Sequence, residues 1–294
     1  AVTGSLAKNQ FEFSGFLSPG NQLKGSTFNV SVQAPSAAAL GSLFGYQELP
    51  DEFLQLAATI IPAGQGVDFA LREGLLGDKQ FALKGHIADV HHPEFFTADG
   101  SIKLPSLKLL QSVVPEAKLP DLPVSFSGGI GHEPGIVRFM QAHFVLGEST
   151  VDLDGQLGVG VSPGSSRLKL SGSGPDLSQL LDAGILASLP KAFVFSGQFS
   201  RAGGNPGAGK DTQLQNVQLQ LGDLKLVADG TVDALPNPQE LALQLKLSAP
   251  DAAVLNTLTD LDFASVPLSV EALYRGSLQQ FSLDHLVAEL GASE

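Results

Sequence analysis

Gly204 to Lys210 reads Gly-Asn-Pro-Gly-Ala-Gly-Lys, close to the pattern that cradles nucleotide phosphates. In that chemistry backbone N–H groups hold the phosphates, a lysine reaches them and the next hydroxyl binds Mg²⁺. Asp211 stands where the hydroxyl is needed. The residues after it alternate like a strand, whereas phosphate binding needs a helix N-terminus. Gly160-Val161-Ser162-Pro163-Gly164 has the spacing of a nucleophile elbow, which requires a helix after the serine. Arg167 to Leu170 instead resumes strand alternation, so a hairpin turn explains the match. His91 and His92 are adjacent, and neighbours on a strand point to opposite sides, a poor chelate. His86, His132, His143 and His285 are scattered. Asp152 and Asp154 share one side of a strand, with Val151 and Leu153 on the other; a solvated sheet face accounts for them. No nucleophile, base and orienting group come together in sequence. The chain reads as a non-enzyme with no catalytic residues, no metal ligands and no cofactor.

Composition narrows the partners. The 294 residues carry 30 acidic against 17 basic side chains, a net charge of -13. Phosphate backbones require clustered Lys and Arg, so nucleic acid is an unfavourable partner. Cysteine is absent, which removes disulfides and thiolate chemistry. The apolar fraction of 43% is ample for ordered structure. No apolar run reaches the roughly 18 residues of a membrane-crossing helix.

Most of the chain alternates with period two, as strands with one apolar face do. Leu241, Leu243, Leu245 and Leu247 alternate with Ala242, Gln244 and Lys246. The same phase marks Phe11 and Phe13, Phe81, Leu83 and Ile87, Phe144 and Leu146, Val151 and Leu153, Leu219, and Leu224 and Leu226. With Leu243 and Leu245, these are the candidate residues of an apolar groove. Gly15, Gly85, Gly155 and Gly230 recur on that face, where glycine signals a bend or a close backbone approach.

Four stretches break the alternation. Pro35, Pro105, Pro175 and Pro250 each open a short apolar run with Ser or Asp next and Leu at the fifth position. Leu-Pro or Val-Pro closes each run. Ser or Asp there can cap a first helical turn. The predicted helices cover residues 36–45, 106–114, 176–187 and 251–261. A second series, Leu76-Gly77, Leu146-Gly147, Leu221-Gly222 and Leu290-Gly291, runs in step. Together they predict an elongated, mainly β repeat array of units of about 70 residues, each about four strands plus one short helix. The units run approximately 7–76, 77–146, 147–221 and 222–291, one continuous array over 1–294. The third is longer because of Arg201 to Asp211, whose Gly and Pro content predicts a dispensable loop. Landmarks cut at both termini lead us to expect a piece of a longer protein.

The pattern Leu-Gly-x-x-x-[Leu/Val/Phe]-x-[Leu/Ala/Phe]-x-Gly, seen from Leu146 to Gly155 and from Leu221 to Gly230, resembles the AsmA-like family of Gram-negative bacteria, the AsmA, TamB and YhdP type. The run from Pro175 to Pro190 adds to the likeness, which covers essentially the whole chain. The resemblance implies a β-taco or repeating β-groove in the periplasm. It also implies a tether to the inner membrane through a segment outside this chain, and a part in outer-membrane lipid supply. The leading expectation is a lipid-binding or lipid-transfer module taking phospholipid or another acyl-chain lipid. The alternative is a scaffold or assembly module for outer-membrane protein biogenesis, with the apolar face filled by protein and assembly proteins as partners.

Overall fold

A computed structural model of the chain describes residues 1–6, 8–19, 23, 25–43, 50–110, 119–159, 164–180, 192–203, 212–233, 240–257, 262–277 and 280–291. The protein is mainly β, with seventeen strands among the described residues, in two compact units, Ala1–Pro134 and Gly135–Glu294. The first unit contains β1 (Val2–Leu6), β2 (Asn9–Phe16), β3 (Thr27–Ala34), β4 (Leu54–Ala63), β5 (Gly66–Leu76), β6 (Lys79–Ile87), β7 (Phe96–Leu104) and β8 (Val124–Glu133). The second contains β9 (Ile136–Leu146), β10 (Ser149–Gly158), β11 (Ser166–Gly174), β12 (Phe193–Arg201), β13 (Thr212–Leu221), β14 (Leu224–Val232), β15 (Leu241–Ala249), β16 (Leu268–Gly276) and β17 (Phe281–Leu290). Within each unit every strand pairs antiparallel with its sequence neighbours. Each unit is therefore an open up-and-down sheet. Among the described residues no second sheet packs over it.

Helical segments follow β3, β7, β11 and β15, so in each unit they emerge at one end of the strands, the helical end. Among the described residues only the first is an α-helix, α1 (Ala37–Leu43). Leu107–Leu110, Leu177–Gln179 and Ala252–Thr257 are 3₁₀ turns within the stretches predicted as helices. Local composition explains part of the difference. Ala37, Ala38 and Ala39 are the strongest helix formers, whereas Val254, Asn256 and Thr257 disfavour a helix. The remainders of the predicted helices, 44–45, 111–114, 181–187 and 258–261, lie outside the described residues.

The predicted caps are present in all four segments. Ser36 Oγ accepts from the Ala39 N–H at 3.0 Å and Ser106 Oγ from Lys108 at 3.2 Å. Asp176 Oδ1 accepts from Ser178 at 3.0 Å and Asp251 Oδ1 from Ala253 at 2.9 Å. Each cap satisfies a first-turn donor that the helical ladder leaves free. Three segments are also tied to the return of the chain: the Ala37, Leu107 and Ala252 N–H groups donate to the Glu52, Leu122 and Val266 carbonyls at 2.7, 2.8 and 2.8 Å.

The core sits where these segments meet the sheet. In the first unit Ala37 and Leu40 pack on Ala34 and Leu54, with Phe11, Val32, Leu56 and Leu76 around them. In the second unit Leu177 packs on Phe193, Leu221, Leu224 and Ala249, and Leu180, Val254 and Leu255 close over the cluster. The leucine five residues after the opening proline joins this packing at Leu40, Leu180 and Leu255; the Leu110 side chain lies outside the described residues.

Candidate functional site

Strand register decides which side chains share a face. In the first unit Phe11, Val32, Leu56, Phe81, Ile102 and Phe126 stand in one row across β2 to β8, with Gly74 on β5. The next row toward the loop end holds Phe13, Val30, Ala58, Leu71 and Leu83. Phe28, Ile60, Phe69 and Ile130 follow in a third. Ile87 lies beyond them, beside Val67 and Phe96. All five candidates in this unit, Phe11, Phe13, Phe81, Leu83 and Ile87, share this apolar face. The opposite face carries Gln10, Gln33, Gln55, Leu75, Gln80 and Lys103 in one row, polar at every position but Leu75.

The second unit repeats the arrangement. Phe144, Val151, Phe195, Leu219, Leu226, Leu247 and Val270 form one apolar row. Ala142, Leu153, Leu170, Val217, Ala228, Leu245 and Ala272 form the next; Phe139, Leu168, Phe199, Leu214, Leu243, Tyr274 and Leu283 form the third. Leu146 and Leu224 lie at the helical end of the same face. The nine candidates of this unit thus also share one face.

The two ends of the face differ. At the helical end Leu224 is 6% exposed and sealed under the helical segment, while Phe11 and Leu219 are half-buried against the packed clusters. Farther along, Leu83, Leu153, Leu243 and Leu245 are half-buried, and Phe13 is 46% exposed. No helical segment of the described residues packs on these outer rows. They form an apolar lane of mostly half-buried side chains, with Ala98, Ala142, Ala228 and Ala272 buried among them.

The recurring glycines lie in the third row, and their role is close approach. A Cβ on Gly155 would fall on the Arg167 carbonyl oxygen, and one on Gly230 on that of Ala242. Both glycines have φ in the region that side chains avoid, +124° and +144°. Gly15 and Gly85 meet the carbonyls of Thr27 and Thr97 in the same way.

Bulges are a feature that alternation alone did not reveal. In β9 residues 140 and 141 oppose Asp154, and in β13 residues 215 and 216 oppose Asp229. Gln141 and Asn216 have φ of 50° and 48°. Their N–H groups donate to Asp154 Oδ2 at 3.0 Å and Asp229 Oδ1 at 2.7 Å. Asp154, read from sequence as a solvated carboxylate, therefore also caps a bulge. Asp152 does lie on the polar face and holds His143 Nδ1 at 2.7 Å.

No known protein family, curated protein or solved structure matches this chain.

Titratable groups add no chemistry to the lane. Asp121 is held below its ordinary carboxylate range first by the hydrogen bond from Ser106 and then by Lys108. Lys246 is raised by Glu271 on the polar face, and Asp89 is lowered mainly by the His91 backbone N–H in a loop. A cleft of about 850 Å³ in the second unit draws Arg138, Gln156, Arg167, Ser200 and Gln213 from the polar side of the sheet. Among the described residues no three His, Asp or Glu side chains gather as metal ligands, and no helix is long and apolar enough to cross a membrane. Gly160 to Pro163 and Gly204 to Asp211, which include the elbow-like serine, the phosphate-loop-like run and most of the predicted dispensable loop, lie outside the described residues.

Proposed function

We propose that the chain is a non-catalytic lipid-binding and lipid-transfer module. Acyl chains lie along the outer rows of the apolar face, and head groups stay in water. The observation that carries this reading is the apolar lane itself: aliphatic and phenylalanine side chains in register across neighbouring strands, many of them half-buried toward the loop end of each unit. Transfer along such a lane needs no catalyst. Each CH₂ removed from water gains about 0.8 kcal/mol, so a fatty chain is held by area alone and slides without breaking directed bonds.

The sequence resemblance sets the context of the proposal. Units of about 70 residues form a repeating β-groove of the AsmA-like type, in the periplasm, with an inner-membrane tether outside this chain. Phospholipid passing between inner and outer membrane is the proposed cargo.

Two substitutions test the lane. Leu243 is half-buried in the outer rows, and Leu224 lies in the sealed cluster. Leu243→Asp keeps its carboxylate partly hydrated, so the expected protein folds but no longer carries lipid in native mass spectrometry. Leu224→Asp buries an unpaired charge and costs several kcal/mol, so loss of the folded state is expected. Wild-type protein free of lipid, even after incubation with phospholipid vesicles, would overturn the proposal in favour of a scaffold. A folded Leu243→Asp variant with undiminished lipid would show that lipid sits elsewhere.

A further inference from the structure

The cleft of about 850 Å³ on the polar side of the second unit is built on one register row. Arg138 and Arg167 flank Gln156 on β9, β10 and β11, and Ser200 and Gln213 follow on β12 and β13. Neighbouring strands are about 4.8 Å apart, so the two arginine backbones stand roughly 10 Å apart. Both arginines are exposed, and each side chain is long enough to reach one anion seated over Gln156. Arg201 also lines the cleft.

The charge here runs against that of the chain, in which 30 acidic side chains outnumber 17 basic ones. Asp154 is the one acid among the described lining residues. Its Oδ2 is already engaged by the Gln141 N–H at 3.0 Å. Among the described residues nothing pairs with the guanidinium groups of Arg167 and Arg201.

The sheet does not require these arginines. At the distance that separates Arg138 from Leu146-Gly147, Asp68 precedes Leu76-Gly77 and Gln213 precedes Leu221-Gly222. The rows there are Asp68, His86 and Thr97 on β5 to β7, and Gln213, Thr231 and Ala242 on β13 to β15. In the first of them His86 Nδ1 and Asp68 Oδ1 satisfy each other at 2.7 Å. Acidic, neutral and basic rows all fit the same strand pairing.

The other polar groups are set as donors. Ser166 Oγ accepts from the Gly158 N–H at 3.0 Å, and Ser165 Oγ from Gln156 Nε2 at 3.1 Å. Each hydroxyl keeps its own O–H to give. Three arginines against one aspartate leave the lining with two net positive charges. A phosphate monoester carries close to two negative charges near neutral pH, and guanidinium forks match its oxygens two at a time. The volume is that of a small-molecule site, with room for a sugar-sized body beside the phosphate.

We propose that this cleft binds a small, water-soluble phosphate monoester of about the size of a sugar phosphate. Arg138 and Arg167 hold the phosphate over Gln156, and Arg201 with the Ser165 and Ser166 hydroxyls completes the donor set. A soluble source follows from the charge of the whole chain. At -13 the protein repels an anionic bilayer, whereas a single small anion comes within the Debye length of the arginines, about 8–10 Å. The cleft lies on the sheet face opposite the apolar lane, so this proposal and the lipid proposal stand or fall separately.

The test is isothermal titration calorimetry of the chain at low salt with glucose 6-phosphate, glycerol 3-phosphate and glucose. One or both phosphate esters should bind saturably at one site, and glucose should not bind. A phosphate monoester loses its second charge below about pH 6, so affinity should fall as pH drops through that value. Folded Arg167→Gln should bind roughly ten- to a hundredfold more weakly, the size of a charge-assisted hydrogen bond. Lys246→Gln removes a cation elsewhere on the polar face, one paired with Glu271, and should bind as the unmodified chain does. No saturable binding of either ester, undiminished binding in Arg167→Gln, or an equal loss in Lys246→Gln would overturn the proposal. So would binding to vesicles containing phosphatidic acid without binding of either ester, which would assign the cleft to a lipid head group.

Discussion

At the scale of single residues, this sheet is shaped by what its backbone allows. Gly230 combines φ of +144° with a neighbouring carbonyl where a Cβ would sit. Gly230→Ala should therefore cost about 1–3 kcal/mol in urea unfolding, the range for a strained backbone. An equally stable variant would show that the strand relaxes around the methyl group. A second residue-scale prediction concerns Asp121. Ser106 Oγ donates to Asp121 Oδ1 at 2.6 Å, and Lys108 Nζ lies 3.3 Å from Oδ2. The carboxyl group is lowered from its ordinary 3.8, so the tie is present above that pH. It is lost as pH falls through the depressed value. An NMR titration of Asp121 should have its midpoint below 3.8, and Ser106→Ala should raise it. The recurring glycines were visible in the sequence because only glycine recurs at those positions. The double role of Asp154 was not, because its partner Gln141 is reached only through strand pairing.

At the scale of elements, the helical segments seal one end of the apolar face. Leu40 is central to the seal in the first unit. Leu40→Ala should destabilise the protein by about 2–4 kcal/mol, through lost transfer energy and the cavity left behind. Urea denaturation read at the far-UV sheet signal checks the value. A loss under 1 kcal/mol would mean that the site collapses or that α1 is loosely held. The segment starts were legible at Ser36, Ser106, Asp176 and Asp251, since capping is a local exchange between a side chain and an N–H two or three residues on. Helix type was less legible. It depends on propensity summed over several residues and on contacts with the sheet, and an apolar run looks similar in a helix and in a packed 3₁₀ turn.

At the scale of the whole molecule, net charge acts on any lipid surface the chain meets. With -13 charges the protein is repelled by anionic bilayers, and salt shortens the range of that repulsion. On the lipid-transfer proposal, lipid should leave zwitterionic vesicles faster than vesicles containing anionic lipid at low salt. The difference should shrink as ionic strength rises. A fluorescent-lipid transfer assay at two salt concentrations checks this. Faster uptake from anionic vesicles would point instead to a local basic contact, for which the Arg138, Arg167 and Arg201 cleft is the first place to look.

The sequence by itself determined the mainly β class, the apolar side of the strands and the capped starts of the helical segments. Alternation and capping need only neighbours a few residues apart, so they are written locally. Tertiary structure decided the rest. It placed Leu224 under a seal and left Leu243 half-buried, although both belong to the same apolar phase. It turned Asp229 into the cap of Asn216, thirteen residues away. Those outcomes depend on register and on which element packs over which row, and both are set by contacts between residues far apart along the chain.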